Sequence, residues 1–410
     1  GQGDNVLDRS QPCPVAMPKT DANVAKWVRS HSDNLVLMDD GSVYAWGANT
    51  YGCLGLGDTL DRYVPEKITA LDGVNIVDVK IGFGANSTYT FAAFLADDGT
   101  LYTCGYNGYG QLGHGNTTSL STPTALSKTD WSKIVVVGTQ YGRMHGIDTS
   151  GGLWSWGYQN TGEIGNGGTT ANETSPVQIT LPAACVEVSG SYDDSPASSP
   201  LTGGHSLCRL SDGRVYAWGS NNYGQLGVGT TNNADSPQHV SGLNTDTVQV
   251  IAAGGDTGYS IAVKSDGTIR TFGYNGYGQL GNGNTNNQNS PVQPAAITGN
   301  EGIRKVMGCG SSSSGYGWIV VLFENGVVMS CGYNGNGQLG IGNNDAQNEF
   351  QTIPFMKGKI TDICLVGQDS ETGLGLLNDA GLYFQTGYAV ESQLPEPDDQ
   401  PSFVPFLVHM

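Results

Sequence analysis

Serine, histidine and aspartate could together build a nucleophilic site, but their spacing in this chain assembles none. The six histidines, His31, His114, His145, His205, His239 and His409, are scattered, and none accompanies a Gly-x-Ser-x-Gly elbow. A Ser-His-Asp hydrolase is therefore not expected. Gly-x-Gly patterns such as Gly105 to Gly113 imitate phosphate loops, yet those loops must open a helix whose N-terminus receives the phosphate, and strand-like runs follow here. The acidic pair Asp193-Asp194 has the residue types for glycoside hydrolysis or calcium binding, but no EF-hand spacing surrounds it. It reads as a solvated acidic loop. The eight cysteines contain no C-x-x-C pair, which argues against a structural zinc. Cys104 and Cys331 occupy the slot held by Trp46, Trp156, Trp218 and Phe272 elsewhere, so buried free thiols are expected, with disulfides as the alternative. No metal, no cofactor and no catalytic residue is assigned.

The elements that would position these residues come from a repeat. The stretch Gly273 to Gly281, Gly-Tyr-Asn-Gly-Tyr-Gly-Gln-Leu-Gly, has counterparts beginning at Gly47, Gly105, Gly157, Gly219 and Gly332, and a degraded one at Gly387. These seven anchors are separated by 58, 52, 62, 54, 59 and 55 residues. Such a period marks one closed array rather than several domains. Each unit has a β-rich run, a variable loop, an alternating strand, a turn such as Asp212-Gly213 and a short aromatic arm before the anchor. The turns predict tight two-residue hairpins. Pro65, Pro123, Pro237, Pro291 and Pro405 each fall 18 residues beyond an anchor, and Pro176 falls 19 beyond. Four short strands per unit and no amphipathic helix predict an all-β, seven-bladed β-propeller of four-stranded antiparallel blades. The chain termini are expected to close the ring. Residues 21–410 form the propeller, and residues 1–20, through Pro14 to Met17, complete the last blade in preference to Phe403 to Val408.

Composition restricts the partners. With 18 Lys and Arg against 37 Asp and Glu the net charge is −19, which repels a phosphate backbone, so nucleic acid is not expected. No stretch reaches the roughly 18 apolar residues of a membrane span. The sequence starts at Gly1 without an initiator Met or an apolar leader, as in a processed form or an expression product.

Asp212 to Gly227, Asp-Gly-Arg-Val-Tyr-Ala-Trp-Gly-Ser-Asn-Asn-Tyr-Gly-Gln-Leu-Gly, resembles the signature of the regulator of chromosome condensation repeats. The resemblance covers roughly residues 24 to 405 and implies a seven-bladed propeller. It also implies a range of functions, from exchange factors for small GTPases to a plant ultraviolet receptor and propeller inhibitors of β-lactamases. The chain departs from these members. Residues 1–20 hold only Arg9 and Lys19, not a basic chromatin-binding arm, and no Gly-Trp-Arg-His-Thr occurs. His205-Ser206 keeps a family His, whereas the equivalent places carry Asp33, Phe91, Tyr259, Trp318 and Gly373.

What varies between units is the loop ahead of each hairpin: His31 to Asn34, Gly84 to Tyr89, Thr139 to His145, Ser191 to Gly204, Gly255 to Gly258, Gly310 to Gly317 and Gln368 to Gly373. Unequal loops on a regular scaffold suit recognition. Tyr141, Arg143, Tyr192, Asp193, Asp194, Tyr259, Tyr316 and Trp318 lie in or beside these loops and are the candidate binding residues. The glycine-rich stretches, with Tyr109, Tyr223 and Tyr277, are expected on the opposite rim. The expected function is non-enzymatic binding of a protein or surface glycan. An acidic, Lys-poor composition points to an extracellular or virion protein, as in a phage tail or receptor-binding part of a larger particle. A GTPase exchange regulator and an enzyme inhibitor are the alternatives.

Overall fold

The computed structural model describes residues 22–408, apart from 31, 83–88, 138–141, 170, 192–203, 254–256, 300–301, 311–315, 355–357, 367–372 and 388–401. The described chain forms seven four-stranded antiparallel sheets, each made of four consecutive strands. Blade four, for example, comprises Cys185–Gly190, His205–Leu210, Val215–Gly219 and Ala234–His239. The first strands of successive blades touch one another, so they line the axis. The described helical content is one 3-10 turn at Thr69–Leu71. No helix among the described residues is long and apolar enough to cross a membrane.

Alternation along the strands sends apolar side chains to both faces of each blade, and the core is accordingly divided between blades. Six apolar clusters each draw on two successive blades; Leu207, Leu226 and Val240 of blade four, for instance, meet Val250, Ala262 and Phe272 of blade five. A second bond crosses each of these junctions. In the slot just before the anchor glycine, Trp156 Nε1 donates to Gln111 O at 3.0 Å and Trp218 Nε1 to Glu163 O at 2.8 Å. The thiols of Cys104 and Cys331 donate to Cys53 O and Gln279 O at 3.5 and 3.4 Å, and the Thr386 hydroxyl to Gln338 O at 2.8 Å. Phe272 has no donor, and Ser260 Oγ reaches Gln225 O at 2.7 Å instead. The acceptor is always the backbone carbonyl of the sixth residue after the preceding blade's anchor glycine. All the described cysteines are free thiols, buried except for Cys364.

The hairpins differ from the sequence expectation. In blade four Leu210 N bonds Arg214 O, leaving a three-residue loop with Gly213 at φ 83°. The Asp212 carboxylate accepts from Arg214 N at 3.1 Å, and Asp40, Asp98 and Asp266 repeat the bond two residues on. The acidic side chain thus stabilises a longer turn in which only the glycine takes the left-handed conformation.

The last blade also corrects an expectation. Its fourth strand is Ser402–Val408, from the C-terminal end, while Pro14 to Met17, assigned there from sequence, lies outside the described residues. Register explains the outcome. Gly387 pairs Ser402 just as Gly47 pairs Arg62, Gly105 pairs Leu120 and Gly219 pairs Ala234, always 15 residues apart. In blade three Gly157 pairs Glu173, one residue further, which accounts for the late Pro176.

Candidate functional site

In every blade but the last, the first residue of the second strand pairs directly with the anchor glycine: Asp33 with Gly47, Phe91 with Gly105, Arg143 with Gly157, His205 with Gly219, Tyr259 with Gly273 and Trp318 with Gly332. The variable loops and the glycine-rich stretches therefore leave the sheets at the same end. The opposite-rim assignment is corrected by this register, because alternate connections of an antiparallel meander emerge on one edge. The described ends of the variable loops and the glycine-rich stretches thus share a single rim.

The glycine-rich stretches owe their shape to asparagine. Asn275 Nδ2 donates to Asn284 O and Asn286 O at 2.9 and 3.0 Å, while its Oδ1 accepts from Leu280 N at 2.9 Å. Asn49, Asn107, Asn221 and Asn334 do the same in their blades, and all five are fully buried. The anchor Gly273 sits at φ 108°, and a Cβ there would lie 2.7 Å from Gly258 O and Tyr259 Cα. No other residue fits that approach. Gly108, Gly276 and Gly335 serve a different need, since Tyr106, Tyr274 and Tyr333 lie over them and a Cβ would meet each phenol oxygen at 2.1 to 2.2 Å.

The loops so held present a paving of half-buried tyrosines. Tyr51, Tyr89 and Tyr106 pack with centroids 4.5 to 6.0 Å apart, Tyr106 meets Tyr109 at 6.1 Å, and Tyr109 meets Tyr158 edge-on at 5.3 Å. This chain of rings runs across blades one to three. Tyr277, Tyr316 and Tyr333 form a second group on blades five and six, with Tyr316 stacked on Tyr333 at 4.0 Å. Tyr223 and Tyr274 join edge-on at 5.1 Å between them in sequence. Partial burial, followed by the neighbouring Tyr109, Tyr89 and Tyr51, pushes the Tyr106 hydroxyl up to about 12; burial, followed by Tyr277 and Tyr223, raises Tyr274, and burial, followed by Tyr316 and Tyr277, raises Tyr333. These three phenols are neutral donors at any physiological pH.

Of the residues proposed from sequence, Tyr316 is half-buried on this rim. Tyr141, Tyr192, Asp193 and Asp194 lie outside the described residues. Arg143, Tyr259 and Trp318 are corrected: they are 4%, 0% and 0% exposed and face the next blade, not solvent. They hold one register position, the first of the second strand, and clasp neighbouring blades there. Arg143 donates to Ser191 O at 2.5 Å, and Tyr259 Oη to Cys309 O and Trp318 O at 2.7 and 2.8 Å. At the same position His205 bonds Ser191 Oγ and Ser260 Oγ, each at 2.8 Å. The departures from a ring of histidines are thus different solutions to one junction.

His145, in blade three, is held by Ser155 at 2.7 Å and by Ser206 of blade four at 3.0 Å. A serine within reach of a histidine suggests a nucleophile, but Ser206, His145 and His205 are all fully buried and serine, not carboxylate, sits on the far nitrogen. Burial, with the Arg143 charge second, lowers both histidines to about 3. They are neutral structural links. Beneath the same arc, Gln111 Nε2, Gln159 Oε1, Thr161 Oγ1 and Glu163 Oε1 are buried without a hydrogen-bond partner among the described residues. Three of these four fall in blade three, where Gln159 and Glu163 replace the Asn and Gln of the repeat. No group of three or more potential metal ligands occurs among the described residues. Among the described residues the rim has surface for binding and no assembled catalytic set.

Comparison with known proteins agrees with this architecture. A family model described as the regulator of chromosome condensation (RCC1) repeat matches residues 40–87, 98–145, 150–194, 212–261 and 266–315, and a second of the same description matches 79–111. The chain is 29% identical over 324 residues to the ultraviolet-B receptor UVR8 of Arabidopsis thaliana, covering 76% of this chain and 69% of the receptor. It is 30% identical over 343 residues to the human E3 ubiquitin-protein ligase HERC2, covering 83% of this chain but only 7% of the ligase. Among solved structures, human WBSCR16 superposes with a TM-score of 0.63 at 19% identity, covering 87% of this chain and 90% of that one. Yeast RCC1 (Prp20) bound to Kap60 gives 0.62 at 16% identity, covering 96% and 91%. Likeness at that identity speaks for the fold alone. With the family model matching more than half of its residues and the repeat visible in every blade, the chain belongs to the regulator of chromosome condensation (RCC1) repeat family.

Proposed function

We propose that the protein is a non-enzymatic scaffold that binds a partner protein through its loop rim. The observation that carries this reading is the gathering of the variable loops and ten half-buried tyrosines on one rim. Aromatic side chains on loops held by a rigid sheet frame are a favoured means of recognition, because they lose little entropy on contact. Solved structures of similar fold support it further: one holds yeast RCC1 bound to Kap60, and another is described together with binding of Prp20p to Gsp1p and histones. A photo-cross-linking residue placed at Tyr277 should capture the partner, and one placed at Asp212 on the opposite rim should not. Capture only from Asp212 overturns the reading. A surface glycan is the second occupant, favoured by the ring faces of the half-buried tyrosines, on which a sugar can stack. The acidic, Lys-poor composition supports an extracellular or virion setting, which recovery of the chain in purified particles or culture medium tests.

A further inference from the structure

The cations of this chain are distributed unevenly. The stretches 47–61, 105–119, 157–172, 219–233, 273–287 and 332–346 hold eight tyrosines and not one Lys or Arg. Lys67, Lys128, Arg214, Lys264 and Lys359 lie instead at or beside the hairpins and blade connections of the other rim. Near the loop rim, Arg143 is buried, Arg62 is held by Asp58 and Glu66, and Arg29 ends the first strand of blade one. Glu163, fully buried under blade three, makes no ion pair among the described residues. A chain of net charge −19 thus offers a rim whose aromatic faces have almost no cation of their own.

Resting on the protein-binding reading above, we infer that the ring cluster Tyr51, Tyr89, Tyr106, Tyr109 and Tyr158 is a docking surface for a partner protein's arginines. A guanidinium lies flat on an aromatic face, is attracted by its quadrupole and is only weakly hydrated, so it gains more there than an ammonium does. The surrounding negative field concentrates cationic partners and repels acidic ones. A neutral sugar gains nothing from that field. The repeated amides beneath the rings, Asn49, Asn107 and Asn221, are already committed inside the loops and cannot bond its hydroxyls. The rings are held in place from below, Tyr106 by its seat over Gly108 and Tyr109 by the bond from its backbone N–H to Gln111 Oε1 at 2.9 Å.

The test uses the whole chain and defined probes: nona-arginine, nona-lysine and nona-glutamate peptides and the neutral sugar maltohexaose, measured by calorimetry at low salt. Nona-arginine should bind several-fold more tightly than nona-lysine and weaken several-fold at 0.5 M salt, and nona-glutamate should not bind. The Tyr106→Phe/Tyr109→Phe variant keeps the ring faces and should bind nona-arginine within about twofold of wild type, whereas Tyr106→Leu/Tyr109→Leu should lose about tenfold. Should the leucine pair fail to fold, Tyr109→Leu alone is read, with a loss of about threefold. Equal binding of arginine and lysine peptides that ignores the leucine changes would overturn the inference, leaving only diffuse charge. So would maltohexaose binding that requires the rings, or a dimer in sedimentation that the leucine pair abolishes. Failure of these probes while Tyr277 still cross-links a partner sinks this inference alone; capture only from Asp212 sinks the protein-binding reading as well.

Discussion

Two neutral histidines sealed between blades three, four and five should make the propeller acid-sensitive well above the range in which carboxylates titrate. His145 and His205 are fully buried and held at about 3, against an ordinary value of 6.5. Because the folded value lies below the unfolded one, their contribution is complete above pH 6.5 and is lost as pH falls toward 3. Each unit of pH below 6.5 costs about 1.4 kcal/mol per histidine, so at pH 5 the pair costs about 4 kcal/mol. That is a large part of the roughly 5 to 15 kcal/mol that holds a typical domain. The lowered carboxyl of Asp148 does not interfere, since its loss begins only below its ordinary 3.8. Urea unfolding at pH 7 and pH 5 measures the difference, and the His145→Gln/His205→Gln variant supplies the control because glutamine cannot be protonated. We expect the wild type to lose about 4 kcal/mol more than the variant between the two pH values. An equal loss in both proteins would refute the reasoning, because the acid sensitivity would then arise elsewhere.

Other outcomes follow from single contacts. Replacing Asn275 by Ala removes four bonds and orphans the buried Leu280 N–H, and should lower unfolding free energy by about 2 to 4 kcal/mol in denaturant titration. Gly273→Ala places a Cβ against Gly258 O and Tyr259 Cα at an unfavourable φ, for a cost of at least about 2 kcal/mol in the same assay. Tyr259→Phe leaves the Cys309 and Trp318 carbonyls without that donor and should cost about 1 to 2 kcal/mol. Burial raises the Cys53, Cys104, Cys208 and Cys331 thiols, so a thiol reagent should label the exposed Cys364 well before these four, as peptide mapping over time would show.

Blade number, strand order and the fourth-strand phasing were legible because each repeats, and a repeated spacing averages out local ambiguity. Pro405, 18 residues beyond Gly387, already marked the strand that ends the last blade. What escaped was direction. Tyr259, Trp318 and Arg143 count as candidate binding residues from sequence because they adjoin variable loops, yet each stands eight residues before a hairpin glycine, the place of Asp33, Phe91 and His205. A position so fixed in phase belongs to a strand, and its chemical variety reflects the junction it seals. The rim to which the glycine-rich stretches belong could have been found by counting connections: two strands and one hairpin separate them from the variable loop, which returns the chain to the same edge. The Asn staple, by contrast, had no signal beyond its recurrence, since its bonds are to main-chain carbonyls of no particular residue.

That last property also holds at the blade junctions. Trp, Cys and Thr all donate to a carbonyl six residues past an anchor glycine, and the acceptor offers the same atom whatever side chain it carries. A donor can therefore be exchanged for another without a matching change across the seam. Blades joined in this way can diverge one at a time, and whole units can be duplicated or transplanted between propellers, because each presents its neighbour with a socket written in backbone.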